Sequence, residues 1–334
     1  MNAQSAIAVL GAGSWGTALA VLLSGNGHDV RLWGHTADEV YRLARERENR
    51  HYLPGIQFPE RLRPIADLRQ AVAGVAEVLI VVPSHAFRSV AELTAPLLNA
   101  TPGISWATKG FEPGTQRLLS DVASEVLPGR DLAVISGPTF AGEVARGLPT
   151  AITVASSSPA HAQRLANLLH APWFRAYTSE DLIGVQVGGA SKNVLAIAAG
   201  IADGLGFGAN TRAALITRGL TEIMRLGISL GGHSETFMGL AGLGDLVLTC
   251  TDNQSRNRRM GLALAKGLTI AQARTEIGQE VEGVHTAQEV HQLALRHAVD
   301  MPISDQVYRV LYEGLDSREA VHNLLERSLK PETL

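Results

Sequence analysis

The fold is decided by AIAVLGAGSWGTALAVLLS, residues 6–24. An apolar run leads into G-x-G-x-x-G, formed by Gly11, Gly13 and Gly16, and a helix-like segment follows directly. A strand, a glycine turn and a helix in this order are typical of a dinucleotide site. The first glycine allows the tight turn, the second leaves space for a pyrophosphate, and the third lets the helix pack close to the strand. The free N–H groups at the helix N-terminus then face the phosphate.

Strands and helices alternate through the N-terminal half of the chain. Short apolar runs predict strands at Ala6–Leu10, Val30–Trp33, Val78–Val82, Ile104–Ala107, Leu132–Ile135 and Ala151–Val154. Amphipathic segments between them predict helices, among them Ser14–Ser24 and Ala37–Glu48. Such alternation favours a parallel sheet covered by helices on both faces. The second strand begins at the expected distance, so a Rossmann doubly wound, mainly parallel sheet is favoured over a glycine-rich turn without a ligand.

The pattern changes near Ser179, after which we predict no further strand. Helical spacing marks the segments Ser179–Ala202, Thr211–Leu226 and Thr286–Leu295. We therefore expect two domains, with residues 1–180 as an NAD(P)-binding Rossmann domain and residues 181–334 as an all-α substrate and catalytic domain.

The composition restricts the class of protein. With a net charge of −3 over 334 residues, nothing suggests a surface for nucleic acid, and 46% apolar residues can bury a substantial core. A single cysteine excludes an intrachain disulfide framework and favours a reducing compartment. The N-terminus lacks a signal-peptide pattern, and no apolar stretch reaches about 18 residues, so we expect no membrane insertion. The histidines lack metal-ligand spacing. We expect a cytoplasmic protein without a metal site.

The end of the second predicted strand bears on cofactor choice. An NAD-preferring site usually carries Asp or Glu there, about 20 residues after the glycine turn. Here Gly34 is followed by His35, and Arg31, Arg42 and Arg45 lie nearby, although these arginines also fit ordinary surface charge. Because no carboxylate is placed to repel a 2′-phosphate, we expect the chain to accept NADP(H), with NAD(H) as well.

Lysine is rare, since only four of the 29 lysines and arginines are lysines, and two of the four occupy unusual positions. Lys192 stands within VGGASKNVLAIAAG, a nearly uncharged apolar run that predicts a buried helix. Taken alone, it fits an active-site residue and a helix lysine with its head in water about equally. Lys109 follows the predicted strand Ile104–Ala107, so it lies at the carboxyl ends of the strands, where open α/β folds bind ligands. An anion or carbonyl contact is favoured there over an exposed loop lysine.

A polar cluster interrupts the helical pattern of the second half at GLAGLGDLVLTCTDNQSRNRRMG, residues 239–261. Asp245 follows the glycines, and Ser255, Arg256 and Asn257 come shortly after it. A guanidinium with neighbouring hydroxyl and amide groups suits a phosphate ester. A solvated helix start would explain Arg258 and Arg259 but not Asp245.

Six blocks of sequence carry a further signal: GAGSWGTALA, ATKGFEPGT, SGPTFAGEVA, GASKNVLAIAAGIADGLGFGANTRAALITRGL, GLAGLGDLVLTCTDNQSRNRR and VEGV. In this order they resemble the NAD(P)-dependent glycerol-3-phosphate dehydrogenases of the bacterial type. The resemblance implies a Rossmann domain joined to an all-α domain of the 6-phosphogluconate-dehydrogenase type. It also implies reversible reduction of dihydroxyacetone phosphate to sn-glycerol 3-phosphate, the backbone of glycerophospholipids. A homodimer is compatible with such a fold.

The resemblance assigns roles to residues position by position. Together with the glycine turn, the implied cofactor contacts are Gly11, Gly13, Ser14, Trp15, Gly16, His35, Lys109, Ala141, Arg256 and Glu282. The implied substrate-site residues are Lys109, Gly137, Thr139, Lys192, Asp245, Ser255, Arg256 and Asn257. Lys192 resembles the family's proton donor and acceptor. Two positions depart from the family pattern, because Thr139 replaces a common serine and Ser191 a common apolar residue.

The chemistry of ketone reduction fits a buried lysine. Hydride from a nicotinamide cofactor leaves negative charge on the carbonyl oxygen, which an ammonium can neutralise and protonate. In the oxidation direction the same amine must accept a proton, so we expect the pKa of Lys192 to be lowered. Burial, Lys109 and Arg256 would lower it, whereas Asp245 would oppose the shift and orient the ammonium. Two other functions stay open: an oxidoreductase acting on a hydroxyacid or sugar acid, and a dinucleotide-sensing protein without activity.

Overall fold

The computed structural model describes residues 5–99 and 102–327. Packing divides the chain into two units. The N-terminal unit comprises Met1–Thr108 and Leu119–Leu182, and the C-terminal unit comprises Lys109–Leu118 and Ile183–Leu334. The short segment Lys109–Leu118 therefore belongs with the second half of the chain, which a single boundary at residue 180 does not provide for. The assignment of separate roles to residues 1–180 and 181–334 stays a prediction.

In its described residues, the N-terminal unit contains an eight-stranded sheet and a two-stranded hairpin. The strands are β1 (Ala6–Leu10), β2 (Asp29–Trp33), β3 (Glu48–Asn49), β4 (Leu53–Gln57), β5 (Leu62–Ile65), β6 (Glu77–Ile80), β7 (Gly103–Trp106), β8 (Leu132–Ser136), β9 (Thr150–Ser156) and β10 (Phe174–Ser179). The larger sheet has the order β10-β9-β8-β7-β6-β1-β2-β5, and β3 pairs with β4. Every neighbouring pair in the larger sheet is parallel except β8 with β9. The predicted mainly parallel sheet is confirmed.

The helices of this unit connect its strands. They are α1 (Ser14–Gly25), α2 (Ala37–Glu46), α3 (Leu68–Val72), α4 (Ser84–Thr94), α5 (Leu119–Val126), α6 (Ala141–Ala145) and α7 (Pro159–Leu169). Because β1 lies between β2 and β6, the strand order reverses beside it. The glycine turn leaves β1 at its carboxyl end, which is where doubly wound sheets bind their ligands.

Burial explains which strands the sequence revealed. Strands β1, β6, β7 and β8 are buried almost throughout, so their sequences are mostly apolar. Strands β5 and β10 were not predicted because they form the two edges of the sheet, where polar side chains and Pro64 are tolerated. The predicted helix Ala37–Glu48 ends at Glu46, because Arg47 adopts a left-handed φ of 56° and the chain turns into β3.

The described part of the C-terminal unit is helical, as predicted. Its α-helices are α8 (Leu182–Gly204), α9 (Ala209–Ser229), α10 (Ser234–Phe237), α11 (Asp245–Thr251), α12 (Arg256–Ala265), α13 (Ile270–Ile277), α14 (Glu282–Arg296), α15 (Pro302–Tyr312) and α16 (Ser317–Leu325). A π-helical turn, Leu240–Gly244, precedes α11. Among the described residues, only α8 is long and apolar enough to span a membrane, and 89% of its most apolar window is buried within the structure. Helix α8 is therefore the central core helix of this unit.

Candidate active site

Two lysines and one aspartate form a charged cluster in the core of the C-terminal unit. Lys192, in the middle of α8, is only 6% exposed, and Asp245, at the start of α11, is fully buried. The Lys192 Nζ donates to Asp245 Oδ1 at 2.5 Å and to Thr249 Oγ1 at 2.7 Å. The Lys109 Nζ donates to the other oxygen, Asp245 Oδ2, at 2.6 Å. The carboxylate thus bridges both lysines, and the unusual positions of the two lysines have one explanation.

Close packing of two backbones brings Asp245 to Lys192. Gly188 lies one helical turn before Lys192 on α8, where a Cβ atom would stand 2.8 Å from the carbonyl oxygen of Ala241. Ala241 belongs to the π-helical turn, and π-helical turns are common at functional sites. A side chain at Gly188 would push this turn away from α8. The glycine therefore sets the distance at which Asp245 meets the lysine.

The segment that carries Lys109 is fixed to the helical core. Phe111 and Leu118 are buried in the hydrophobic cluster of the C-terminal unit. Arg296, the last residue of α14, donates to Gln116 Oε1 at 2.5 Å. These contacts hold the segment at both ends, so Lys109 reaches Asp245 from an ordered loop.

The environment lowers the pKa of Lys192 to about 8. Burial is the main cause, because it removes water from the ammonium, and the neighbouring positive charge of Lys109 acts in the same direction. Asp245 opposes the shift through its charge and its hydrogen bond. These directions agree with the prediction, except that Arg256 is not among the leading causes. The amine can therefore gain or lose a proton close to neutral pH.

Ser255 and Asn257 shape the start of α12. Ser255 caps the helix, since its Oγ accepts the backbone N–H of Arg258 at 3.2 Å. The side chain of Asn257 donates to Asn193 Oδ1 at 2.9 Å and accepts the backbone N–H of Gly283 at 2.9 Å. Asn257 thus ties α12 to α8 and α14. Its remaining N–H, with the first backbone N–H groups of α12, could receive an anion.

The arginines of this segment lie in different environments. Arg258 is buried, pairs with Asp203, and donates to the carbonyl oxygen of Cys250 at 3.2 Å. Arg258 is therefore not part of a solvated helix start, because its buried guanidinium has a structural role. Arg256 is the first residue of α12 and is partly exposed. Of the two, Arg256 is the candidate for an incoming phosphate.

Thr249, which contacts the charged cluster, and Asn193, which contacts Asn257, were not predicted as site residues. Thr249 lies one helical turn after Asp245, and its Oγ1 donates to the Asp245 carbonyl at 2.6 Å while it accepts from Lys192. Asn193 follows Lys192 directly in the sequence. The four-residue spacing between Asp245 and Thr249 places both on one face of a helix, and this spacing could have indicated Thr249 as a neighbour of Asp245. No sequence pattern indicates Asn193, and only its contact with Asn257, 64 positions away, assigns it to the site.

The glycine turn of the N-terminal unit fits a pyrophosphate. Gly11 has a φ of 122°, and a Cβ atom there would collide with the carbonyl oxygen of Val81. Gly16 packs against Gly11 in the same way, whereas a Cβ atom at Gly13 would meet nothing within 4 Å. Helix α1 begins after Gly13 without a side-chain cap, and the buried Nε1 of Trp15 has no acceptor. Open space and unused donors at a helix N-terminus are what a phosphate group requires.

Other predicted residues of this unit lie at the carboxyl ends of its strands. His35 is exposed just after β2, and Ala141 begins α6. Gly137 follows β8, and its carbonyl oxygen accepts the Thr139 hydroxyl at 3.2 Å. Arg31 donates to three carbonyl oxygens in and after α3, so it has a structural role. Within the described residues, no three His, Cys, Asp or Glu side chains form a group that could hold a metal ion.

Comparison with known proteins identifies the family. The family models described as the N-terminus and the C-terminus of NAD-dependent glycerol-3-phosphate dehydrogenase match residues 6–162 and 181–322. The chain belongs to the NAD-dependent glycerol-3-phosphate dehydrogenase family. A glycerol-3-phosphate dehydrogenase [NAD(P)+] of Methylococcus capsulatus is 58% identical over 98% of both chains, and one of Pseudoalteromonas translucida is 57% identical over 99% of both. The crystal structure of the Coxiella burnetii enzyme is similar, with a TM-score of 0.95 and 51% identity over 97% of this chain and 99% of that chain.

Membership of the glycerol-3-phosphate dehydrogenase family decides between the functions left open by the sequence. The resemblance, the fold class and the status of the chain as an NAD(P)-dependent oxidoreductase are confirmed. An inactive dinucleotide sensor is thereby disfavoured, as is an enzyme for hydroxyacids. The roles of individual residues stay predictions.

Proposed function

We propose that this chain catalyses the reversible reduction of dihydroxyacetone phosphate to sn-glycerol 3-phosphate with NADPH or NADH. The product would supply glycerophospholipid synthesis in the cytoplasm. The observation that carries the proposal is the buried ammonium of Lys192, held 2.5 Å from Asp245 with its pKa lowered to about 8. The names of the Methylococcus and Pseudoalteromonas relatives support the same substrate and cofactor.

The cofactor, when bound, supplies the hydride. The fit of the glycine turn supports Gly11, Gly13, Ser14, Trp15 and Gly16 as its pyrophosphate site. We extend the cofactor contacts to His35, Lys109, Ala141, Arg256 and Glu282 on the grounds of the resemblance. Both nicotinamide cofactors would be accepted, because Gly34 directly follows β2 at the position where an NAD-preferring site has a carboxylate.

Lys192 would move the proton. An ammonium has three N–H donors, and Asp245 and Thr249 use two of them. The third would donate to the carbonyl oxygen of the ketone. As the carbonyl carbon gains the hydride, that oxygen would take the proton from Nζ, which leaves a hydroxyl group and a neutral amine. In oxidation the amine would take the proton back.

Asp245 and Lys109 would support this step. The Asp245 carboxylate would keep the Lys192 Nζ in place through both protonation states. The ammonium of Lys109, 2.6 Å from the same carboxylate, would bind and polarise the substrate oxygen. A pair of positive charges at the developing alkoxide would stabilise the transition state more than the neutral ketone.

The phosphate of the substrate would lie at the start of α12. Arg256 can bind it in bidentate fashion, and the helix N-terminus adds N–H groups and a positive dipole end. Asn257 would contribute its remaining N–H, and Ser255 would hold the helix start in place. Gly137 and Thr139 are proposed as further substrate contacts from the resemblance alone. A homodimer is proposed as the assembly, which sedimentation would test.

The absorbance of the reduced nicotinamide tests the proposal. Purified protein should oxidise NADPH and NADH with dihydroxyacetone phosphate, and much more slowly with dihydroxyacetone at equal concentration. The difference in rate between the two ketones measures the contribution of the phosphate site. The ratio of the rates with NADPH and NADH tests the effect of Gly34 on cofactor choice. Turnover of a hydroxyacid panel in place of the phosphorylated ketone would reject the proposed substrate.

A further inference from the structure

Asn49 connects the β3–β4 hairpin to the glycine turn. It is 2% exposed, and its side-chain amide donates both N–H groups into the turn. One goes to the carbonyl oxygen of Ala12 at 2.9 Å, and the other goes to Thr17 Oγ1 at 2.8 Å. These acceptors flank Gly13–Gly16, the stretch that leads from the open glycine into α1. The amide thus joins the two ends of this stretch.

The Asn49 side chain is itself held in place. Its Oδ1 accepts the backbone N–H of Tyr52 at 3.2 Å, which fixes the orientation of the amide and leaves its NH₂ for the turn. The hairpin is anchored just upstream, where the Arg47 guanidinium donates to the carbonyl oxygens of Pro59 at 2.6 Å and Leu62 at 2.8 Å. A buried amide whose two N–H groups and oxygen are all hydrogen-bonded is a rigid support.

We propose that Asn49 is a positioning residue for the cofactor, which holds the Gly11–Gly16 turn in the conformation that accepts a pyrophosphate. The inference rests on the proposed cofactor role of this turn. Without the amide, Ala12 and Thr17 lose their shared donor, and only a long Thr17 Oγ1–Ala12 O contact of 3.5 Å remains between them. The turn would then spend less time in the binding conformation, and the apparent Kd rises by the inverse of the competent fraction.

The test measures the Kd of NADPH by titration, together with steady-state kinetics, on the full chain. Asn49→Leu keeps the volume and removes the hydrogen bonds, and Thr17→Val removes one acceptor without changing shape. We expect Asn49→Leu to raise the Kd and the cofactor KM about tenfold, and Thr17→Val to raise them less. At saturating cofactor, kcat and the KM for dihydroxyacetone phosphate should stay unchanged. Thr17→Ser, which restores the hydroxyl, should recover the affinity.

Two further variants separate the possible failures. Glu48→Ala is the matched control, since Glu48 accepts the Gly55 N–H at 2.8 Å within the same hairpin and does not touch the turn. An equal loss of affinity in Glu48→Ala would mean general loosening and would overturn the inference. Gly13→Val fills the proposed pyrophosphate space. If Gly13→Val weakens binding while Asn49→Leu and Thr17→Val do not, Asn49 has no positioning role; if Gly13→Val binds normally, the proposed cofactor site itself is wrong. If Asn49→Leu fails to fold, the comparison of Thr17→Val with Thr17→Ser tests the inference: equal Kd values for the two variants would overturn it.

Discussion

Replacement of Lys192 by methionine should abolish most of the activity while substrate binding survives. Methionine fills the same space in α8 but cannot donate to the carbonyl oxygen or accept its proton. General acid–base catalysis by a positioned side chain typically contributes about 10²–10⁴-fold, or about 3–5 kcal/mol of activation free energy. We therefore expect Lys192→Met to lower kcat by about this factor. The KM for dihydroxyacetone phosphate should change little, because Arg256 and the start of α12 remain.

The pH dependence of kcat/KM gives a second, independent test of the role of Lys192. With a pKa of about 8, the Lys192 amine is about nine-tenths protonated at pH 7 and about one-tenth protonated at pH 9. Ketone reduction needs the protonated form, so its kcat/KM should fall nearly tenfold across this interval. Alcohol oxidation needs the neutral form, so its kcat/KM should rise as the pH increases over the same range. The lysine variant should lose both trends.

The assay follows nicotinamide absorbance in both directions between pH 6 and 10. Lys266→Met is a matched control, since Lys266 is an exposed lysine just after α12 and makes no contact with the cluster. Its kinetics should match those of the unaltered chain. Retained kcat in Lys192→Met with only a raised KM would refute the acid–base role. A wild-type profile that stays flat between pH 6 and 10 would refute a Lys192 pKa lowered into this range.

Two other changes test separate parts of the molecule. Arg256→Ala should raise the KM for dihydroxyacetone phosphate about 10–100-fold, because a charged hydrogen bond is worth roughly 1.5–3 kcal/mol. The rate with unphosphorylated dihydroxyacetone should stay unchanged. Equal losses of kcat/KM with both ketones would contradict a phosphate contact. Glu222→Gln should lower the free energy of unfolding by about 1–3 kcal/mol in urea titrations, since the buried carboxylate accepts the backbone N–H groups of Ile303 at 2.7 Å and Ser304 at 3.1 Å. Burial raises the pKa of Glu222 from 4.5 to about 7. Between these pH values the folded state binds more protons than the unfolded state, so the free energy of unfolding should fall as the pH rises. Glu222→Gln should not show this pH dependence.

Local signals explain what could be predicted from the sequence. The glycine turn and its flanking strand and helix lie within 20 consecutive residues, and their order alone predicts a dinucleotide site. Buried central strands are mostly apolar, which is why β1 and β6 to β8 were found. Lys192 was conspicuous because a charge inside an apolar helix requires a partner. The partner, Asp245, was assigned by resemblance to the family, since 53 residues separate the two.

Long-range contacts explain what was missed. Asn49 reaches Ala12 across 37 positions and Thr17 across 32, and nothing in the spacing around Asn49 indicates that contact. The edge strands β5 and β10 lack an unbroken apolar run, since Arg63 and Pro64 interrupt β5 and polar residues are mixed with apolar ones in β10. The attachment of Lys109 depends on Arg296, which lies 180 positions from Gln116. Such pairs are fixed by tertiary packing and leave no local pattern.

The placement of Lys109–Leu118 has a consequence for dissecting the gene. The polypeptide passes from one unit to the other three times, so neither unit is encoded by one uninterrupted stretch. A fragment beginning at residue 181 would lack Phe111 and Leu118 from its hydrophobic cluster and would leave Asp245 facing one lysine instead of two. An independently produced helical half would need those ten residues grafted back. Recombination between relatives at residue 180 would likewise join an Asp245 site from one parent to a Lys109 loop from the other.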